Sequence, residues 1–141
     1  MANIIPHSFR GELFSGTHDF SNGGNSFKIA LYTSNPYSTS STTYLTGQEV
    51  SASNTGYTTG GKVLASQAVA SGTAVASVDF ADSALASATF TAAFAAIYND
   101  TNSDKLCVVL DFGGNKTATN GTFTISFPDP STPANAIISM A

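Results

Sequence analysis

Apolar residues alternate with polar ones in short segments of this chain, and this pattern constrains its fold more than any other feature. The clearest segment is Gly121 to Phe127, where Phe123, Ile125 and Phe127 are separated by hydroxyl residues. Phe27 to Thr33 shows the same alternation. Because successive side chains of a β-strand point to opposite faces, a period of two indicates strands with one buried face.

Further segments of this kind, or runs rich in β-branched and aromatic residues, are separated by Gly, Ser and Asn. We interpret them as strands: Lys62 to Gln67, Thr73 to Phe80, Ala86 to Thr91, Ala93 to Asn99, Lys105 to Phe112 and Ala136 to Met140. The two alanine-rich segments form either two strands or one strand bent near Ala92. Seven or eight short strands predict an all-β fold, an antiparallel β-sandwich of jelly-roll type. The alternative is a mixed α+β domain with a helix packed across a single curved sheet.

A short amphipathic helix is predicted at the N-terminus, over about residues 5–15. Ile5, Phe9 and Leu13 are four residues apart and therefore lie on one helical face. A proline stands in the first turn, and Gly16 follows the last one. Both are typical of helix ends, so the sequence predicts one helix ahead of the strands.

Charged residues are scarce. Only fourteen of the 141 residues carry a formal charge, and the net charge is −4. In soluble domains about a quarter of the residues are typically charged. Ser and Thr dominate the polar residues instead, and burying a hydroxyl costs far less than burying an ion. The composition therefore favours a structural or assembly protein over an enzyme, and we expect no cofactor.

Composition also argues against two classes of partner. The five Lys and Arg residues are scattered singly, whereas nucleic-acid binding requires several cations on one face. The longest weakly polar stretch, Ala84 to Tyr98, is shorter than the roughly 20 residues that span a bilayer. The N-terminus lacks the pattern of a secretory signal. We therefore expect a single domain over residues 1–141, made in a cytoplasm, that binds neither nucleic acid nor membrane.

One turn resembles the start of a calcium loop. Asp100, Asn102 and Asp104 have the required spacing, but Lys105 occupies the sixth position, where such loops need glycine. A polar hairpin turn explains the same residues, because Asn and Asp hydrogen-bond to their own backbone. These three residues are the only metal-ligand candidates that the sequence offers.

The remaining reactive side chains do not form a recognisable pattern. His7 and His18 are eleven residues apart, which does not match a zinc site, and we interpret both as surface or capping residues. Cys107 lies in an apolar segment, where cysteine is usually an inert hydrophobic residue. We therefore predict no catalytic residue.

Residues 34–61 form a long irregular loop, and such loops are uncommon in compact domains unless they serve a function. The loop contains three tyrosines, and the N-terminal segment contains phenylalanines. These aromatic side chains either contact a partner or pack within the core and beneath the loop. The candidate interface residues are Phe9, Phe14, Tyr37, Tyr44 and Tyr57.

Short motifs follow one another over most of residues 8–112. They are Ser8-Phe9, Gly11-Glu12-Leu13-Phe14-Ser15-Gly16, His18-Asp19-Phe20, Phe27-Lys28-Ile29-Ala30-Leu31-Tyr32-Thr33-Ser34, Thr43-Tyr44, Glu49-Val50-Ser51, Gly56-Tyr57-Thr58-Thr59-Gly60-Gly61, Val78-Asp79-Phe80-Ala81-Asp82 and Ala96-Ile97-Tyr98-Asn99-Asp100. With these motifs in this order, the chain resembles a family of small virion structural proteins of tailed bacteriophages. Ser83-Ala84-Leu85 stands where the resemblance leads us to expect a tryptophan.

The resemblance implies a component of the virion without catalytic residues. Decoration, or cement, proteins of phage heads are commonly small β-sandwiches that clamp neighbouring capsid subunits. We therefore expect a decoration protein that binds the major capsid protein or other virion proteins, as a homo-oligomer or in many copies. The first alternative is a tail, neck or fibre-attachment component of the same particle. The second, from another class, is a carbohydrate-binding β-sandwich that uses exposed tyrosines and the Asp100–Asp104 turn.

Overall fold

The computed structural model describes residues 3–128 and 136–140, which form one short helix and seven strands. The helix α1 is His7–Phe14. The strands are β1 Phe27–Tyr32, β2 Lys62–Val63, β3 Ala68–Ser71, β4 Ala76–Asp79, β5 Ser83–Asn99, β6 Lys105–Ile125 and β7 Ile138–Met140. A mostly β architecture with a short N-terminal helix, as predicted from the sequence, is confirmed.

The strands form two antiparallel sheets. One has the order β2-β1-β5-β6, and the other has the order β3-β4-β7. Strands β3 and β4 form a hairpin whose turn is closed by a hydrogen bond from Gly72 N to Val75 O at 2.9 Å. The alternative of a single curved sheet is therefore wrong, and neither sheet closes on itself among the described residues.

Strands β5 and β6 are much longer than predicted, with 17 and 21 residues. The register of their pairing shifts between Ala92 and Phe94, so the alanine-rich region is one bent strand. β6 joins two segments that the sequence predicts as separate strands. Residues 112–115, with two glycines, form a bulge opposite a single β5 residue, and pairing resumes after it.

The main hydrophobic core contains residues of both sheets. Phe27, Ile29 and Leu31 line one face of β1 and are at most 1 % exposed. They belong to the same buried cluster as Val78 of β4 and Ile138 of β7. Burial of each such side chain contributes about 1.5–3 kcal/mol, so this cluster is a principal source of stability.

The opposite face of β1 is buried too, although the alternation of its sequence predicts a half-buried strand. Ala30 and Tyr32 are fully buried in a second cluster with Tyr37, Leu106 and Val109. The reason is tertiary, because part of the irregular segment 34–61 folds back over this face. The segment therefore acts as a cover for the sheet, with Tyr37 and Tyr44 packed against this face.

Candidate functional site

The five tyrosines of the chain lie beneath or within the 34–61 segment, joined by hydrogen bonds and ring contacts; with Glu49 we call them the tyrosine cluster. The hydroxyls of Tyr32 and Tyr37 are 2.6 Å apart, and Tyr44 stacks on Tyr98 with ring centroids 4.7 Å apart. The remaining member is Tyr57, whose hydroxyl accepts a hydrogen bond from the backbone of β1.

Glu49 connects this cluster to the loop. Its carboxylate accepts hydrogen bonds from the hydroxyls of Tyr44 and Tyr57 and from the backbone N–H of Gly60. The Tyr57 hydroxyl lies 2.7 Å from Glu49 Oε1. Burial, reinforced by the neighbouring carboxylate, raises the pKa of Tyr57 above its ordinary value. In this arrangement the tyrosine hydroxyls stay protonated, and their hydrogen bonds attach the loop to the sheet. This is a structural role.

Three of the five predicted interface residues are buried in the chain itself. Phe9 is 1 % exposed, Tyr37 6 % and Tyr57 5 %, while Tyr44 is half-buried in the tyrosine cluster. A side chain enclosed by its own chain cannot contact a partner unless the fold opens. For Phe9, Tyr37 and Tyr57 this burial favours the packing interpretation over the interface interpretation. Phe14 differs, since it is 89 % exposed.

Phe14 borders an open apolar groove of about 610 Å³, which we call the α1 groove. Among the described residues, large hydrophobic side chains are exposed at six positions. Phe14, Val69 and Met140 line this groove, so half of the six are concentrated here. Leu13, Val78 and Ile138 contribute further apolar surface. Contiguous exposed apolar surface of this kind is typical of protein-binding sites.

A buried polar network lies at one end of the groove, around His18. Asn99 Oδ1 accepts hydrogen bonds from the N–H groups of Thr101 and Asn102, so its Nδ2 faces His18 Nδ1 at 3.0 Å. Nδ1 therefore accepts, and Nε2–H donates to Glu12 Oε2 at 2.7 Å. The interpretation of His18 as a surface or capping residue is wrong, because its side chain is fully buried.

The same network brings Cys107 next to a base that the sequence did not connect with it. Cys107 Sγ lies 3.7 Å from His18 Nδ1, while the other ring nitrogen contacts Glu12. However, Cys107 is fully buried. Burial, followed by the charge of Glu12, raises the pKa of its thiol well above the usual value. A buried, protonated thiol is a poor nucleophile, so the arrangement favours a packed polar network over a catalytic dyad.

Two of the three candidate calcium residues make side-chain contacts within the chain. Asp100 Oδ1 pairs with Lys28 Nζ at 3.1 Å. Asn102 turns inward, and its amide donates to Thr17 O and to Asn25 Oδ1. This geometry matches the hairpin-turn interpretation, in which Asn99 Oδ1 binds the backbone of the turn.

Sequence reasoning missed the α1 groove and the His18 network. The groove combines residues 13–21, 69–78 and 138–140, which are distant in the sequence. His18 and Asn99 are 81 positions apart, and no short motif connects them. One local signal was available, since Phe14 follows Leu13 and therefore falls off the apolar face of α1.

Comparison with known proteins adds no identity to this geometry. No protein-family model, curated protein or solved structure matches the chain. No helix in the described part of the chain is long and apolar enough to cross a membrane.

Proposed function

We propose that this chain is a non-catalytic structural protein of a bacteriophage virion, a capsid decoration (cement) protein that binds the head lattice through the α1 groove. In this proposal its two sheets form the jelly-roll-like β-sandwich that the sequence predicts, and its partner is the major capsid protein. The observation that carries the proposal is the concentration of exposed Phe14, Val69 and Met140 around one apolar groove.

The composition of the groove supports binding to protein. Among the described residues, its lining contains no Lys, Arg or Glu, and Asp19 is the single carboxylate. Apolar and aromatic side chains at the centre of an interface, with charged residues depleted, are typical of protein–protein contacts. Phe14 is suited to act as the anchor, because its ring is presented to solvent at the end of a helix.

The proposed mechanism is thermodynamic linkage between binding of this protein and assembly of the lattice. A protein that binds only the assembled lattice stabilises that lattice by mass action, by about 2.7 kcal/mol when its free concentration is 100 times the dissociation constant. No reactive group takes part. The low surface charge supports many copies packed side by side, since neighbouring copies repel one another little.

The test is co-sedimentation of the purified protein with undecorated phage heads, using a matched pair of variants. Val69 and Val63 are both 53 % exposed in short strands, but only Val69 lines the α1 groove. We expect Val69→Glu to weaken head binding about thirtyfold, because it places a charge in an apolar contact. Val63→Glu should bind like the wild type, and thermal unfolding should show both variants folded.

If the wild-type protein does not sediment with heads, the decoration assignment is wrong. If both variants lose affinity equally, the α1 groove is not the binding surface. Densitometry of purified virions separates the alternatives, because a head protein is present in hundreds of copies and a tail, neck or fibre-attachment component in far fewer. The carbohydrate-binding alternative has lost part of its basis, because the tyrosines it would use are mostly buried.

A further inference from the structure

The outer edge of β6 is covered by the chain itself along its first half. β6 is the terminal strand of the four-stranded sheet, so one of its sides faces away from β5. On that side Val109 exchanges two backbone hydrogen bonds with Ile4, at 2.8 and 2.9 Å. Asp111 N donates to Asn3 Oδ1 at 2.8 Å. Residues 42–44 at the start of β6 and the N-terminal segment farther along it therefore satisfy the edge up to the bulge.

Beyond the bulge the same edge has no partner among the described residues. From residue 116 to residue 125, β6 pairs only with β5. Phe127 N donates to Asp82 Oδ1 on the β5 side. Because N–H and C=O groups of alternate residues in an antiparallel strand point to opposite sides, those of Thr122 and Thr124 point away from β5. These backbone groups form a free edge.

The free edge lacks the features that usually block strand pairing. Edge strands are commonly protected by charged residues, proline or a covering loop. Between residues 116 and 125 there is one charged residue, Lys116, and no proline. The solvent-facing side chains are mainly threonines, which favour strands. An open hollow of about 390 Å³, lined by Phe112 and Phe123 among others, adjoins this stretch and leaves room for side chains of an added strand.

We propose that the occupant of this edge is β6 of a second copy, paired antiparallel about a two-fold axis near Thr124. In that arrangement Thr122 and Thr124 lie opposite threonine or serine of the other copy, and such cross-strand pairs are favourable. Because the axis lies near Thr124, the one charged residue, Lys116, is eight positions away and outside the paired stretch, so like charges do not face each other. The surface is thus self-complementary, as a two-fold interface requires. The inference concerns self-association and does not depend on head binding.

The primary test measures the mass of the purified full chain by light scattering and sedimentation over a range of concentrations. We expect a dimer, with slowed amide hydrogen exchange at Thr122 and Thr124. Thr124→Pro removes an N–H that points away from β5, where none of the described residues accepts it, so it should raise the dimer dissociation constant at least about tenfold. Thr124→Val is the matched control, since it keeps the N–H and suits a strand. It should remain dimeric.

A second variant covers the case in which Thr124→Pro does not fold. The double substitution Thr122→Lys with Thr124→Lys changes only exposed side chains and places like charges opposite each other in the dimer. It should dissociate the dimer at low salt, and added salt should partly restore it. A wild-type monomer at every concentration, or a dimer that neither change weakens, overturns the proposal. Head binding by a monomer would leave the proposed function intact, so the two failures are distinguishable.

Discussion

Asn99 is a fully buried amide whose donors and acceptor are all used. Its Nδ2 group donates to Asn25 Oδ1 at 2.9 Å and to His18 Nδ1 at 3.0 Å, and its Oδ1 binds two backbone N–H groups of the following turn. Buried polar groups persist in folded proteins when they are satisfied in this way. Through this one residue the hairpin turn after β5 is joined to the segment that follows α1.

Two glycines with nearly equal backbone angles differ in what surrounds them. Gly61 has φ of +81° and Gly23 has φ of +83°. A Cβ on Gly61 would lie 1.9 Å from Ile29 O of β1, whereas one on Gly23 would meet nothing within 4 Å. Gly23→Ala should therefore cost only the backbone strain, about 1–2 kcal/mol.

Gly61→Ala adds a steric clash with β1, and we expect a total loss of about 3 kcal/mol or more in the free energy of unfolding. Urea denaturation of both variants measures the difference between them. If both variants lost the same free energy of unfolding, β1 would be able to shift at Ile29 at little energetic cost.

At the scale of elements, the 34–61 segment is held to the sheet by polar contacts as well as apolar ones. Tyr32 donates to Leu45 O at 2.7 Å, and Val50 N donates to Leu31 O at 2.9 Å. Tyr98 donates to Gly60 O at 2.6 Å. A segment with so many anchors is part of the folded body and forms a cover over β1.

Glu49 is the side chain that most directly fastens this cover. Glu49→Ala would leave the hydroxyls of Tyr44 and Tyr57 and the N–H of Gly60 without their acceptor. We expect a loss of about 2–4 kcal/mol, together with faster proteolysis within residues 34–61. Glu49→Gln should lose less, because its amide keeps an acceptor oxygen. Unchanged cleavage in Glu49→Ala would contradict the fastening role.

At the scale of the whole molecule, burial of tyrosines couples stability to alkaline pH. Burial is the largest cause that raises the pKa of Tyr32, Tyr37, Tyr44, Tyr57 and Tyr98 above the ordinary value of 10.0. Below that pH the folded and unfolded chains both keep these protons. Above it the unfolded chain releases protons that the folded chain retains, so the free energy of unfolding falls as pH rises.

We therefore expect urea midpoints that stay level through neutral pH and decline above about pH 10. The raised pKa of Cys107 acts in the same direction, from about pH 9. Tyrosinate absorbance provides a direct check. In urea it should appear near pH 10, and in the native protein it should appear only as the chain unfolds. If tyrosines of the native protein ionise near pH 10 without unfolding, the burial of the tyrosine cluster is contradicted.

Local patterns in the sequence were sufficient to predict the type of most elements. Helix spacing at Ile5, Phe9 and Leu13 predicted α1, and alternation predicted β1. Both signals depend on the geometry of a single element, with periods of 3.6 and 2, and can therefore be recognised within a few neighbouring residues. The boundaries of β5 and β6 were harder, because Ser87 and Asn120 adopt positive φ at irregularities inside continuous strands, and the pairing resumes on both sides of each irregularity.

The sequence by itself determined that this chain would be mostly β, poor in charge and supplied with aromatic side chains. Only the tertiary structure decided that Tyr37 and Tyr57 are buried while Phe14 is exposed, and that His18 meets Asn99 and Cys107. The same holds for the α1 groove and for the half-covered edge of β6. These features arise from contacts between residues far apart in the chain, and the packing that selects them involves both sheets at once.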